Sequence, residues 1–170
     1  MGHKLELPVG KNWMREANER NLFSSYKIIS LHKVGLVSKK GSPWAKDSID
    51  FLASVLDESE NEIQIWGVEI KSRVKISTIN KEKENMKKLR RKKHEMICDN
   101  QVAKFVADRN ERYQLLHHSF VYGLKRVALV VGDKGGNVIS ATVVNFSNNL
   151  QNCYEKMTDE IKKHCFRVGL

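Results

Sequence analysis

Apolar and polar positions change period several times along this chain, and each change marks the edge of an element. The stretch KNWMREANERNLFSSY, from Lys11, has helical character, with Trp13, Ala17 and Leu22 placed to pack inward. A first strand is expected over about 26–37, then a turn at KKGSPW, where Gly41 and Pro43 act as breakers. A second strand covers about 48–56, the acidic DESENE connection makes a hairpin, and a third strand covers 63–74. INKEKENMKKLRRKKHEM reads as a charged helix with few apolar anchors. Next, Val102, Phe105, Val106, Tyr113, Leu116, Phe120 and Leu124 recur near helical spacing. They predict one long amphipathic helix that ends close to Gly123, a residue suited to the C-cap. RVALVVGD and VISATVVNFS are compact buried strands joined by the turn GDKGGN, and NNLQNCYEKMTDEIKKHCF follows as a helix.

That order describes an α/β domain with a mixed β-sheet flanked by helices. It is expected to be one domain over 1–170, with a basic helical insert at 76–97 and a C-terminal helix at 148–170. A length of 170 residues with 41% hydrophobic content suits a single core.

Charge adds a partner to this picture. Lys and Arg number 30 against 20 acidic residues, a formal charge of +10, which favours a polyanion and above all nucleic acid. Much of the excess is local. Lys87, Lys88, Arg90, Arg91, Lys92 and Lys93 supply six of the charges, and without them the balance would fall to +4. Such a cluster reads as a phosphate-binding arm, a nuclear-targeting signal or a solvated helix face. Cys98, Cys153 and Cys165 form no CxxC pair and have no His at zinc spacing, so they read as reduced thiols of an intracellular protein. No apolar run approaches the ~20 residues of a membrane span, and the charged N-terminus lacks a signal-peptide core, so no membrane partner is expected.

The chemistry concentrates in WGVEIKSRV. Glu69 and Lys71 alternate with Val68 and Ile70, and so share one face of a strand. The bland reading is a surface ion pair. Asp50 lies on the preceding strand, and directly opposed residues of an antiparallel pair stand ~5 Å apart. Two carboxylates there would repel unless a cation lay between them, and Mg2+ uses one or two carboxylates, backbone oxygen and water. Lys71 would then orient an attacking water or stabilise developing negative charge.

This pattern, SID…VEIK, resembles the Asp…Glu-x-Lys signature of the PD-(D/E)xK nuclease superfamily. It is most similar to the branch of lambda-exonuclease and YqaJ-type viral recombinases, over roughly residues 11 to 132. The resemblance implies a restriction-endonuclease-like core. It also implies Mg2+ or Mn2+ held by Asp50, Glu69 and the Ile70 carbonyl, with Lys71 serving the water. Gln114, in RYQLLHHSFVYGL, resembles the helix-borne glutamine of such sites, and Glu19 matches the acidic residue of the first helix, with Glu16 its competitor. Two features depart from the family pattern: Ser48-Ile49-Asp50-Phe51 lacks the usual proline and glycine, and the basic insert lies outside the common core.

The expected activity is DNA hydrolysis from ends, with homo-oligomers a property of the family. The alternatives are a nucleic-acid-binding module that keeps the fold without the chemistry, or an RNA endonuclease of the viral cap-snatching type, in which His32 would approach the site. His117 and His118, adjacent on a helix, read as packing or surface residues, since they point about 100° apart. Trp44 is a candidate for stacking on a base.

Overall fold

The computed structural model describes residues 3–106 and 108–167, with side chains over 5–106 and 108–163. Helix α1 (His3–Glu19) is followed by strand β1 (Tyr26–Lys33), the hairpin β2 (Val37–Lys39) and β3 (Ser42–Asp47), and strands β4 (Phe51–Asp57) and β5 (Glu62–Arg73). Helix α2 (Ile76–Lys88) leads to strand β6 (His94–Cys98), a short helix α3 (Val102–Phe105) and helix α4 (Arg109–Tyr122). Strands β7 (Arg126–Asp133) and β8 (Val138–Asn145) precede helix α5 (Asn148–Arg167).

Six strands form one sheet in the order β1-β4-β5-β7-β8-β6. Pairing is antiparallel except for β5 with β7 and β6 with β8, which makes the sheet mixed. Alternation along β5 explains how both faces are built. Trp66, Val68 and Ile70 join Val9, Trp13, Ala17 and Phe23 in a core beneath α1. The opposite face is covered by Leu115, Leu124 and Val106 from the α3–α4 side. Helix α5 lies over α4, where Gln151 Nε2 donates to the Leu124 carbonyl at 2.9 Å.

Several expected boundaries move. The first strand stops at Lys33, and KKGSPW opens a separate hairpin around Gly41 (φ 84°). The first helix begins eight residues earlier than the sequence pattern suggests, because Pro8 and Gly10, which look like breakers, lie inside it. HEMIC, assigned to the basic helical insert, is instead an edge strand parallel to β8, with His94 and Ile97 buried. His94 and Ile97 are three apart and so face opposite sides of the sheet, His94 toward Phe23 and Ile97 toward the α4 side, which leaves no alternation to mark a strand after the cationic run. The long amphipathic helix is broken: Val106 and Asp108 are extended, and the Asp108 carboxylate accepts the Asn110 N–H at 2.7 Å as an N-cap. Gly123 does close α4 in the left-handed region (φ 66°).

Contact between α1 and β7 is close enough to need a glycine. A Cβ on Gly132 would overlap Val9 Cγ2 and stand 2.8 Å from its Cγ1. A branched side chain in a helix has one strongly preferred rotamer, so α1 itself would have to give way. Gly132→Ala is therefore expected to cost about 1–3 kcal/mol, as overpacked cores do. Urea unfolding of the variant would read this directly, and unchanged stability would show that α1 is less firmly docked than the contact implies.

Candidate functional site

Asp50 does not lie in a strand. It ends the Ser48–Asp50 link between β3 and β4, one residue before the Phe51–Val68 pair. Extending that register by one places Asp50 opposite Glu69. The Asp50 carboxylate accepts the Ile70 N–H through Oδ2 at 2.7 Å, which ties the link to β5. Ile49 is buried and covers Gly67, where a Cβ would meet its Cδ1 at 2.6 Å. The Ile49 N–H also donates to the Tyr122 hydroxyl at 3.2 Å. A buried isoleucine and a tyrosine thus hold a segment that has neither proline nor glycine.

On β5, Glu69 is buried and Lys71 half-buried beneath α4. Lys71 Nζ donates to Glu69 Oε1 at 2.7 Å and to Gln114 Oε1 at 2.8 Å. The Gln114 amide returns a bond to Glu69 Oε1, also at 2.8 Å. Glutamate, lysine and glutamine therefore close a three-membered ring of hydrogen bonds between the strand and the helix. Glu69 Oε2 faces His118 Nε2 at 3.0 Å, and His118 Nδ1 bonds Asp47 at the end of β3. One turn before Gln114, Glu111 pairs with Arg73. Positions 111, 114 and 118 are the stripe that α4 turns toward β5.

Electrostatics divide the carboxylates. Burial would raise the Glu69 pKa, but hydrogen bonds from His118 and Lys71 outweigh it and hold the group below the usual range. His118 shows the converse. Burial alone would lower its pKa, yet Asp47 and Glu69 push it up to about 9, so its ring is charged near neutrality and both nitrogens donate. Asp50 lacks that compensation. Burial first, then the charge of Glu69, raise it to about 6 against the Ile70 N–H bond, with Glu6 adding to the rise.

Asp50, Glu69, Lys71, the Ile70 backbone and Gln114 are thus brought together. Glu19 is not among them: it is exposed at the far end of α1, while Glu16 bonds Lys93 at 2.6 Å. The acidic residue of α1 that acts on Asp50 is Glu6, buried and 3.6 Å from Lys33 Nζ. Thirteen residues separate Glu6 from Glu19, about 20 Å along a helix. His32 is exposed on β1 and bonds Ser30 at 2.7 Å. Trp44 lies on the β2–β3 hairpin with Lys162 above its ring.

His118, Asp47 and Glu6 are the residues that sequence reasoning missed. Gln114 and His118 are four apart and so share a helix face, a signal obscured by comparing His118 with its neighbour His117. His117 does point elsewhere, 2.9 Å from the Tyr154 hydroxyl.

The basic cluster divides as well. Lys87, Lys88, Arg90 and Lys92 are exposed. Arg91 is not: its side chain is 3% accessible, paired with Glu82 at 3.4 Å and bonded to Thr142 at 3.1 Å. Lys93 is committed to Glu16. Two of the six cations therefore join α2 and β6 to the rest of the fold. Cys98 and Cys153 are exposed and free, and Cys165 lies outside the described side chains.

The donor set at Asp50 and Glu69 suits a hard divalent cation: carboxylate oxygens beside strand backbone, without thiolate. The raised Asp50 pKa speaks for the fit: burial is its first cause and the charge of Glu69 its second, and a bound dication would offset both. Among the described residues, no three of His, Cys, Asp and Glu are grouped to hold a metal unaided. Water and substrate phosphate oxygens would have to complete the shell, which Mg2+ commonly accepts. Among the described residues no helix is long and apolar enough to cross a membrane.

The chain matches no model of a known protein family. Nor does any curated protein match it.

Proposed function

We propose that this chain is a metal-dependent phosphodiesterase. Within that class the reading is a nuclease of PD-(D/E)xK type with DNA as substrate, acting from ends or processing them. The observation that carries it is the knot of Glu69, Lys71 and Gln114 beside a carboxylate whose pKa stands near 6. A surface ion pair needs none of this. Gln114 and Glu69 hold the Lys71 Nζ in one position at the edge of the carboxylate pair.

Hydrolysis of a phosphodiester requires a nucleophile, compensation of charge on the phosphorane-like transition state and help for the leaving oxygen. Asp50 and Glu69 would hold Mg2+ or Mn2+, which when bound supplies charge neutralisation at the phosphate and acidifies water. Lys71 Nζ, half-buried and donating in a fixed direction, would orient the attacking water and stabilise the negative charge that develops. Gln114 and His118 are positioning residues: the first aims Lys71, the second holds Glu69 through Oε2.

One observation favours a second reading, the non-catalytic binding module. Both Glu69 oxygens already have protein partners, so the network is satisfied as it stands. End-labelled linear duplex DNA incubated with Mg2+, and in parallel with EDTA, separates the two. The nuclease reading expects shortening of the label only with Mg2+, and the product ladder would show whether cleavage starts at ends. Intact DNA that is nonetheless bound without metal would favour the binding module.

A further inference from the structure

A cleft of about 680 Å³ opens beside the catalytic knot, and its walls are charged in a particular way. Arg73, two residues beyond Lys71 on β5, is part of its lining. One wall is α2, with Lys81, Asn85 and Leu89, so that it runs toward the basic cluster that begins at Lys87. The other wall is α3 and the start of α4, with Lys104 and Arg109.

Two of the three acids in this lining are paired with arginines, which leaves Lys81, Lys104 and Arg109 facing one carboxylate, Asp108. Glu111 pairs with Arg73, Glu82 with Arg91, and Asp108 caps α4. Lys81, Lys104 and Arg109 are exposed. Tyr113 does not line the cleft but adjoins its residue Arg109, which donates to the Tyr113 hydroxyl at 3.2 Å and lies over its ring at 5.6 Å; the tyrosine is 51% exposed.

A positively charged groove that tracks a backbone, with an aromatic face on which a base can stack, is how proteins take single strands without reading sequence. Its volume falls within the roughly 300–1,000 Å³ of pockets for drug-sized molecules, a size that suits a short run of unpaired nucleotides. We infer that an unpaired strand entering or leaving the Asp50–Glu69–Lys71 centre lies in this cleft, its phosphates against Lys81 and Lys104 and a base against Tyr113. The inference rests on the nuclease reading for its direction and makes unpaired ends the substrate class.

The test uses the full chain and a fluorescent single-stranded oligonucleotide, with a duplex of the same sequence as comparison. Binding is followed by anisotropy in EDTA across a salt series. Lys81→Glu with Lys104→Glu is expected to weaken single-strand binding at least about tenfold and to reduce the salt slope by about 1.4, at roughly 0.7 per phosphate contact. Lys27→Glu with Lys40→Glu, exposed positions on β1 and the β2–β3 turn, makes the same change in net charge and is expected to cost less than about threefold. Tyr113→Ala should weaken binding without changing the slope. Equal losses from the two charge-reversed pairs, tighter binding of duplex than of single strand, or no single-strand binding by the wild type would each overturn the inference. Metal-free binding separates this from the nuclease reading: a wild type that binds single strands through the cleft yet cleaves nothing leaves the cleft standing and removes the chemistry.

Discussion

Lys71→Ala is expected to lose cleavage of DNA in Mg2+ by about three orders of magnitude while folding as the wild type does. Removing one preorganised stabiliser of developing charge typically costs about 10²–10³ in rate, and losing a group that also orients the attacking water can cost more. The structural cost is small because the neighbours keep other partners. Glu69 retains the Gln114 amide at 2.8 Å and His118 at 3.0 Å, and Lys71 is already partly in solvent. Melting within a few degrees of wild type should accompany the loss. Full activity in this variant would show that the lysine is a strand-edge ion pair and no more.

How far this site could be foreseen depends on the separation in sequence of the parts. Asp50, Glu69 and Lys71 were legible because a hairpin with a short turn fixes their register, and strand alternation fixes their face. Gln114 came from resemblance alone, and α4 brings it to Lys71 across 43 positions. His118 and Asp47 meet through the packing of the β2–β3 hairpin against α4, a pairing that no local period encodes. Glu6 was hidden for another reason. Pro8 and Gly10 argue locally against a helix, but Gly10 lies against Leu31 and Ile70, where a Cβ would stand 3.1 and 3.2 Å from their side chains. Tertiary contact there overrides propensity.

The same competition shaped the larger elements. β4 was readable from its alternation, and β5, β7 and β8 from their largely apolar runs, since the sheet buries these strands on both faces. β6 was not, because it is an edge strand of five residues preceded by cations. Two of those cations serve the fold, with Arg91 among buried groups and Lys93 on Glu16, so a run that looks like a single binding patch is split between structure and solvent.

Asp50→Asn should remove cleavage and at the same time make the metal-free protein more stable. The Asp50 pKa rises from an ordinary 3.8 to about 6, so the folded state binds this proton more tightly than the unfolded chain. Between those two values the native state holds more protons, and stability from this group falls as pH rises. Above about 6 the charged carboxylate is a standing cost: at about 1.4 kcal/mol per pKa unit the full shift corresponds to about 3 kcal/mol, and screening by water at this partly exposed group reduces the expected gain of the asparagine to roughly 2 kcal/mol at pH 7. For a chain of this size that is roughly 4–8 °C in melting temperature. Asparagine can still accept the Ile70 N–H, which keeps the link on β5 in place. Glu69 and His118 titrate with opposite consequences, so the difference between wild type and variant is the useful quantity. It should shrink toward zero as pH is lowered from 7 to 4. Mg2+ should raise the melting point of the wild type and not of the variant, since only a ligand that binds the native state shifts it. A less stable variant at pH 7 would mean that Asp50 is held by a partner strong enough to offset its burial. The case for a cation between Asp50 and Glu69 would then lose its main support.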